Sequence, residues 1–249
     1  MTVGLVCLPG LLCTPDVWAP VRPLVPAPVV TPELPAFDSI ERIAARLLAD
    51  LPERFVLVGL SMGGYVALEI LRTAPERVAG LVLASTTAAP DTDRQKAGRQ
   101  VAVEQARAAG MTRFAKGLAG YLLGPAASED PAIQAALVTM AERVGLETFV
   151  LHQTATAARP DSRDRLAAIA CPTAVVAGEA DRVTPPDKAR ALAEEIPDAR
   201  LVLAPGAGHM LPLEAPAVLA EAISTILAAA SARETEEFEA TSRRSGVTP

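Results

Sequence analysis

One short stretch restricts the fold more than any other. Phe55-Val56-Leu57-Val58 runs into Gly59-Leu60-Ser61-Met62-Gly63-Gly64, and then into a helix-patterned segment stopped by Pro75. A strand with no polar face has to be covered on both sides, as in the interior of a parallel sheet. Ser61 then sits on the turn between strand and helix, where Gly59 and Gly63 have no side chains to collide. Runs of the same kind recur at Val3 to Leu8, Val78 to Ala84, Thr173 to Ala177 and Leu201 to Ala204. A weaker one leads from Val29 and Val30 towards Leu34. About six strands are expected.

Helical segments separate them. Asp38-Ser39-Ile40-Glu41 has the form of a capping box. Ile40, Ile43, Ala44, Leu47, Leu48 and Leu51 follow at helical spacing. Met62 to Ala74, Asp187 to Ile196 and Val218 to Ala230 read as further helices, the last opened by Pro216. This alternation predicts an α/β class with a mostly parallel, doubly wound sheet, built from residues 1–86 and 169–230. It breaks once. About 85 residues separate Ser85 from Thr173, too many for one crossover. Within them, Asp130-Pro131 can open a helix carrying Ile133, Leu137, Met140 and Val144, and Leu146, Phe149 and Val150 suit another. An inserted helical cap is expected over residues 87–168. Residues 231–249 are polar, charged and aperiodic, and read as a disordered tail.

Bulk properties narrow the function. A formal net charge of -6 over 249 residues argues against general nucleic-acid binding. No uncharged apolar stretch reaches about 18 residues, so no membrane span is expected. The segment from Met1 to Leu8 lacks a basic n-region, so no secretory signal is expected. Cys7, Cys13 and Cys171 match neither a disulfide framework nor a zinc-ligand spacing, which fits the cytoplasm. The only histidines are His152 and His209, too few for a His-rich metal site.

Four loops carry chemistry. The segment around Ser61 has the Gly-x-Ser-x-Gly form in its required strand–turn–helix context, with Ser61 at a helix N-terminus that favours developing negative charge. Gly208-His209-Met210 follows the last strand and offers a base, with Gly206 and Gly208 leaving the loop free to bring the imidazole to Ser61. His152 lies inside a helix-patterned segment and is the weaker candidate. Gly178-Glu179-Ala180-Asp181 offers two carboxylates to orient the imidazole; Asp181 lies farther past the strand end and is preferred to Glu179. Leu8-Pro9-Gly10-Leu11-Leu12-Cys13 follows the first strand. The backbone N–H of Leu11, with that of Met62, can donate to an oxyanion.

Together, the Pro9-Gly10 loop, Gly-Leu-Ser-Met-Gly-Gly, Gly-Glu-Ala-Asp-Arg-Val-Thr-Pro-Pro and Gly-Ala-Gly-His resemble bacterial capped α/β-hydrolases. The pattern is similar to carboxylesterases, enol-lactonases and pimeloyl carrier-protein methyl ester esterases. The resemblance spans roughly Val3 to Leu227, and Ala158 to Arg163 is similar to the segment that ends the cap in enol-lactonase-like members. Many members have His-Gly where this chain has Pro9-Gly10, which removes a frequent structural contact but leaves the backbone donor. The resemblance implies the α/β-hydrolase fold with an inserted helical cap, and a serine hydrolase acting on a small or medium carboxylic ester or lactone. It implies no metal and no organic cofactor. Thioester, perhydrolytic and C–C cleavage by the same three residues, or a small-ligand receptor, are alternatives. Aspartate-nucleophile chemistries would put Asp where Ser61 stands.

With only 3% aromatic residues, a pocket lined by Leu, Val, Met and Ala is expected. From Arg94 to Lys116 the chain carries Arg94, Lys96, Arg99, Arg107, Arg113 and Lys116 against Glu104 alone. Such a run is ordinarily the solvated face of a helix. It also suits an anionic small-molecule substrate or an acidic carrier protein.

Overall fold

The computed structural model describes residues 3–245, with side chains described through residue 236. Six strands form one sheet: β1 (Gly4–Leu8), β2 (Val29–Val30), β3 (Phe55–Leu60), β4 (Val78–Ala84), β5 (Thr173–Gly178) and β6 (Arg200–Ala204). Their order is β2-β1-β3-β4-β5-β6, and every neighbouring pair is parallel. The strand order reverses once, beside β1 and β3.

Both faces are covered, as the unbroken apolar runs require. Along β3, Val56, Val58 and Leu60 point into one layer, with Leu219, Ile223 and Ile226 of α9 (Pro216–Ser245) and with Trp18. Phe55 and Leu57 point into the other, against α1 (Ile40–Leu48), α2 (Met62–Thr73) and α7 (Pro186–Glu195). Ile40, Ile43, Ala44 and Leu47 of α1 fall on one helical stripe and are all buried. Each of the isoleucine and leucine side chains contributes roughly 1.5–3 kcal/mol on burial.

The α1 cap differs in register from the expected box. Ser39, not Asp38, is the N-cap and accepts from Arg42 N at 3.3 Å, while Asp38 pairs with Arg42 at 2.9 Å. Position N3 is therefore Arg42, which cannot return the bond that Glu41 was expected to make. A complete capping box exists elsewhere, between Thr92 and Gln95.

Four helices fill the break in the alternation: α3 (Asp93–Ala109), α4 (Met111–Leu122), α5 (Pro125–Ser128) and α6 (Pro131–Ala158). Asp130 caps α6 by accepting from Ala132 N at 2.8 Å. Gly145, at φ 73°, divides α6 into the two helices that the sequence pattern anticipates. The chain rejoins the core before residue 168, because Leu166 packs into the layer that holds α7.

The disordered tail expected over residues 231–249 is instead helical through Ser245. Helix α9 continues past Ala230 to Ser245. Arg54 pairs with Glu234 at 2.7 Å, and Arg233 donates to the Ala170 carbonyl at 2.5 Å. These bonds fasten a stretch rich in Glu and Arg, which are good helix formers, to the body of the protein. Residues 246–249 of that segment lie outside the described residues. Among the described residues, no helix is long and apolar enough to cross a membrane. The short α8 (Leu211–Glu214) precedes α9.

Candidate active site

Because all strands run the same way, the loops after β1, β3, β5 and β6 emerge at one edge of the sheet. The chemistry-bearing residues of the sequence sit on these four loops. Ser61 follows β3 and is the N-cap of α2, with φ 50° and ψ -111°. This positive φ is unfavourable for a side-chain-bearing residue. Neighbouring bonds hold it: Ser61 N donates to Ala84 O at 2.8 Å, and Ser61 O accepts from Gly64 N at 2.9 Å and from Thr86 Oγ1 at 2.8 Å. A Cβ on Gly59 would lie 2.5 Å from Gly63 O, and one on Gly63 would lie 2.5 Å from Leu8 O. The turn thus admits only glycine at both positions.

Ser61 Oγ donates to His209 Nε2 at 2.9 Å, and His209 Nδ1 donates to Asp181 Oδ2 at 2.8 Å. Asp181 and His209 are buried. The remaining capacity of Asp181 is filled by Val183 N at 2.8 Å, Thr184 N at 2.9 Å and Thr184 Oγ1 at 2.8 Å. Burial works to raise the Asp181 pKa. Its hydrogen bonds and the charge of His209 outweigh that, so the carboxyl lies below its ordinary range. Glu179 is exposed, and among the described residues only its backbone is bonded, to Ala204 O at 3.0 Å. His152 is buried in α6, and its Nε2 donates to Pro35 O at 2.9 Å. Burial lowers its pKa, leaving a neutral structural imidazole.

Gly10 to Cys13 forms a turn in which Cys13 N donates to Gly10 O at 3.2 Å. The N–H groups of Leu11 and Met62 have no hydrogen-bond acceptor among the described residues. Both residues line, with Ser61 and His209, a cavity of about 170 Å³. Larger cavities lie elsewhere on the molecule, but neither Ser61 nor His209 lines them. Cys13 also lines this cavity, but burial pushes its thiol up to about 12, so it is no rival nucleophile.

The wall of the cavity departs from the aliphatic lining expected. Tyr65, Phe114, Tyr121 and Phe149 line it beside Leu and Met side chains. These are four of the chain's eight aromatic residues. Phe114 and Phe149 pack with ring centroids 5.3 Å apart.

Sequence reasoning missed Glu214. Its carboxylate accepts from Gly208 N at 2.8 Å, Met210 N at 2.7 Å and Gly124 N at 2.7 Å. The first two flank His209, and the third belongs to the insertion. His209 N itself donates to Leu122 O at 2.7 Å. The signal was present: between Arg200 and Glu221, Glu214 is the only acid. An isolated carboxylate in an apolar run needs partners.

Among the described residues, no group of three or more His, Cys, Asp and Glu side chains could hold a metal ion.

Residues 5–222 match the family described as the alpha/beta hydrolase family. The pimeloyl-[acyl-carrier protein] methyl ester esterase of Aromatoleum aromaticum is 31% identical over 234 residues, covering 82% of this chain and 90% of that protein. A thermophilic esterase from Thermogutta terrifontis, solved with malate bound, superposes with a TM-score of 0.84 at 29% identity, covering 92% of this chain and 90% of the other. The enol-lactonase from Burkholderia xenovorans has a TM-score of 0.81 at 22% identity, with 92% of each chain covered, a likeness of fold.

Proposed function

The chain belongs to the alpha/beta hydrolase family and is a carboxylic ester hydrolase, and from that premise we propose that it works through a Ser61–His209–Asp181 triad. One observation carries this reading: the unbroken relay from Ser61 Oγ to His209 Nε2 and from His209 Nδ1 to Asp181 Oδ2. His209 takes the Ser61 proton as Oγ attacks the ester carbonyl. Asp181 accepts the Nδ1–H bond, which leaves Nε2 as the free lone pair, and its negative charge stabilises the imidazolium that forms. The unpartnered N–H groups of Leu11 and Met62 are the donors for the oxyanion, aided by the N-terminus of α2. His209 returns the proton to the leaving alcohol. Water then repeats the sequence and frees the acid from Ser61.

The α3–α6 insertion acts as the cap, since Arg99, Phe114, Leu118, Tyr121 and Phe149 supply one wall of the cavity. The small cavity supports a small or medium ester or lactone as substrate. An acidic carrier protein is a further partner. Arg94, Lys96, Arg107, Arg113 and Lys116 are exposed and unpaired among the described residues, which supports a basic landing face on α3 and α4.

The test is a panel of p-nitrophenyl esters and lactones of varied chain length, run beside labelling by a fluorophosphonate. Turnover of at least one short ester is expected, with a single adduct mapped by mass spectrometry to Ser61. Absence of turnover together with an unlabelled Ser61 would overturn the proposal.

A further inference from the structure

Arg99 differs from its five basic neighbours. They are exposed; its side chain turns inward and lines the cavity that holds Ser61 and His209. Among the lining residues it is the one permanently charged side chain, and none of them is a carboxylate.

The charge of Arg99 is only partly compensated. Asp91, fully buried, accepts from Arg99 Nε and Nη2, and also from Arg159 Nη1 at 2.6 Å. Burial works to raise the Asp91 pKa, but the hydrogen bonds and charges of Arg99 and Arg159 prevail and hold it below its ordinary range. One carboxylate therefore serves two guanidinium groups, and the cluster carries a net charge of about +1 in a poorly solvated wall, an arrangement that favours an incoming anion. Arg159 also lies over the Tyr65 ring, at 4.2 Å from the centroid.

The hydrogen-bond inventory has the same sign. Arg99 Nη1 donates to Gln153 Oε1 at 2.8 Å, which commits that oxygen and leaves the two Nε2 hydrogens of Gln153 without a partner among the described residues. Arg99 has five N–H groups and uses three. Tyr65 Oη, on the same cavity, has no partner among the described residues either. This side of the pocket presents spare donors around a positive charge.

We propose that Arg99 and Gln153 form a carboxylate subsite, so that preferred substrates are esters or lactones bearing a second, ionised carboxylate a few bonds from the scissile carbonyl. This rests on the ester-hydrolase reading above. A guanidinium and an amide offer a carboxylate parallel N–H donors, and such charge-assisted bonds are strong where water is scarce. The cavity, at about 170 Å³, restricts the spacer to a short chain.

The test compares kcat/KM for monomethyl and dimethyl esters of straight-chain dicarboxylic acids at about 0.5 M salt, where steering by surface charge is screened. Wild type should prefer the half-ester by roughly tenfold or more. In Arg99→Met that ratio should fall towards unity. In Gln153→Leu, which keeps Asp91 and both arginines, it should fall by about threefold or more. A second arm needs no turnover: calorimetry should detect glutarate binding to wild type, weaker binding to Gln153→Leu, and no binding of glutaramide. A half-ester ratio near unity in wild type, or one unmoved by both substitutions, would overturn the subsite, as would equal binding of glutarate and glutaramide. If no ester turned over and Ser61 stayed unlabelled while glutarate still bound, the hydrolase reading would fail and the anion site would stand.

Discussion

The carboxyl edge of the sheet and the α3–α6 insertion face each other across one cavity, yet they are built differently. At the sheet edge, Asp181 and His209 are buried and both side chains are fully bonded. Asp181 has four donors, and Ser61 is pinned through its own N–H and carbonyl. Across the cavity, α3 buries only Ala106, and Arg99 and Gln153 keep donors unspent. A saturated network fixes geometry, and an unsaturated one has capacity left for a ligand. On the proposed function, the chemistry belongs to the sheet and selectivity to the insertion. Substitutions on the sheet side should lower the rate for every ester, and those on the insertion should reorder substrates.

The sharpest break of that contrast is at Ser61. Ser61→Ala should lower kcat by about 10^4-fold or more for every ester tried, because the members of the proposed triad would act as a unit. Circular dichroism should be unchanged. A rate within tenfold of wild type would remove the sheet edge as the seat of the chemistry. Next comes the carboxylate pair. Asp181→Asn should cost about 10^3- to 10^4-fold in kcat, since the amide cannot stabilise an imidazolium. Glu179→Gln should stay within about twofold, being exposed. The opposite ranking would transfer the orienting role to Glu179.

Glu214 joins the two regions, so it tests whether they are separable. Glu214→Ala leaves the N–H groups of Gly124, Gly208 and Met210 without their acceptor. At about 2–3 kcal/mol, Tm should fall by roughly 4–10 °C, and kcat should fall for neutral and anionic esters alike. A loss confined to one substrate class would place Glu214 with the selectivity groups.

Acid stability probes the insertion's own anchor. The folded pKa of Asp91 lies below its unfolded value of about 3.9. Its stabilisation is therefore complete above that value and disappears as pH falls through the lower, folded one. Wild-type Tm should drop in this acid window. Asp91→Asn should have a lower Tm at neutral pH and a flatter decline below about pH 4. Parallel curves would show that Asp91 does not carry this dependence. The smallest effect is expected on the outer face. Arg107→Ala with Arg113→Ala should lower kcat/KM for an anionic carrier-linked ester about two- to fivefold at 0.02 M salt, and not at 0.5 M. No salt dependence beyond that of a neutral ester would leave these residues as a solvated helix face.

Much of the sheet side was legible in the sequence. Strands buried on both faces announce themselves as continuous Val and Leu runs, and the glycines around Ser61 mark a turn that tolerates no Cβ. Loops after parallel strands gather at one edge, so Ser61, His209 and a carboxylate of the loop after β5, Glu179 or Asp181, could be grouped from their order. The insertion was legible only as helices. Residues 231–245 combine helix propensity with a polarity that resembles a disordered tail, and the bonds from Arg54 and to Ala170 that secure the segment come from distant parts of the chain.

The sequence by itself determined the parallel α/β architecture, the residues presented at its active edge and the place of the helical insertion, because periodicity, turn glycines and chain order are local properties. Only the tertiary structure decided that Asp181 rather than Glu179 meets the imidazole, that Glu214 ties the His209 loop to the insertion, and that one arginine of a basic run turns inward. The reason is distance along the chain: Arg99 is placed by Asp91 and by Gln153, and Asp91 also holds Arg159, residues 54 and 68 positions away from their respective partners. No local pattern records which of six similar cations will find them.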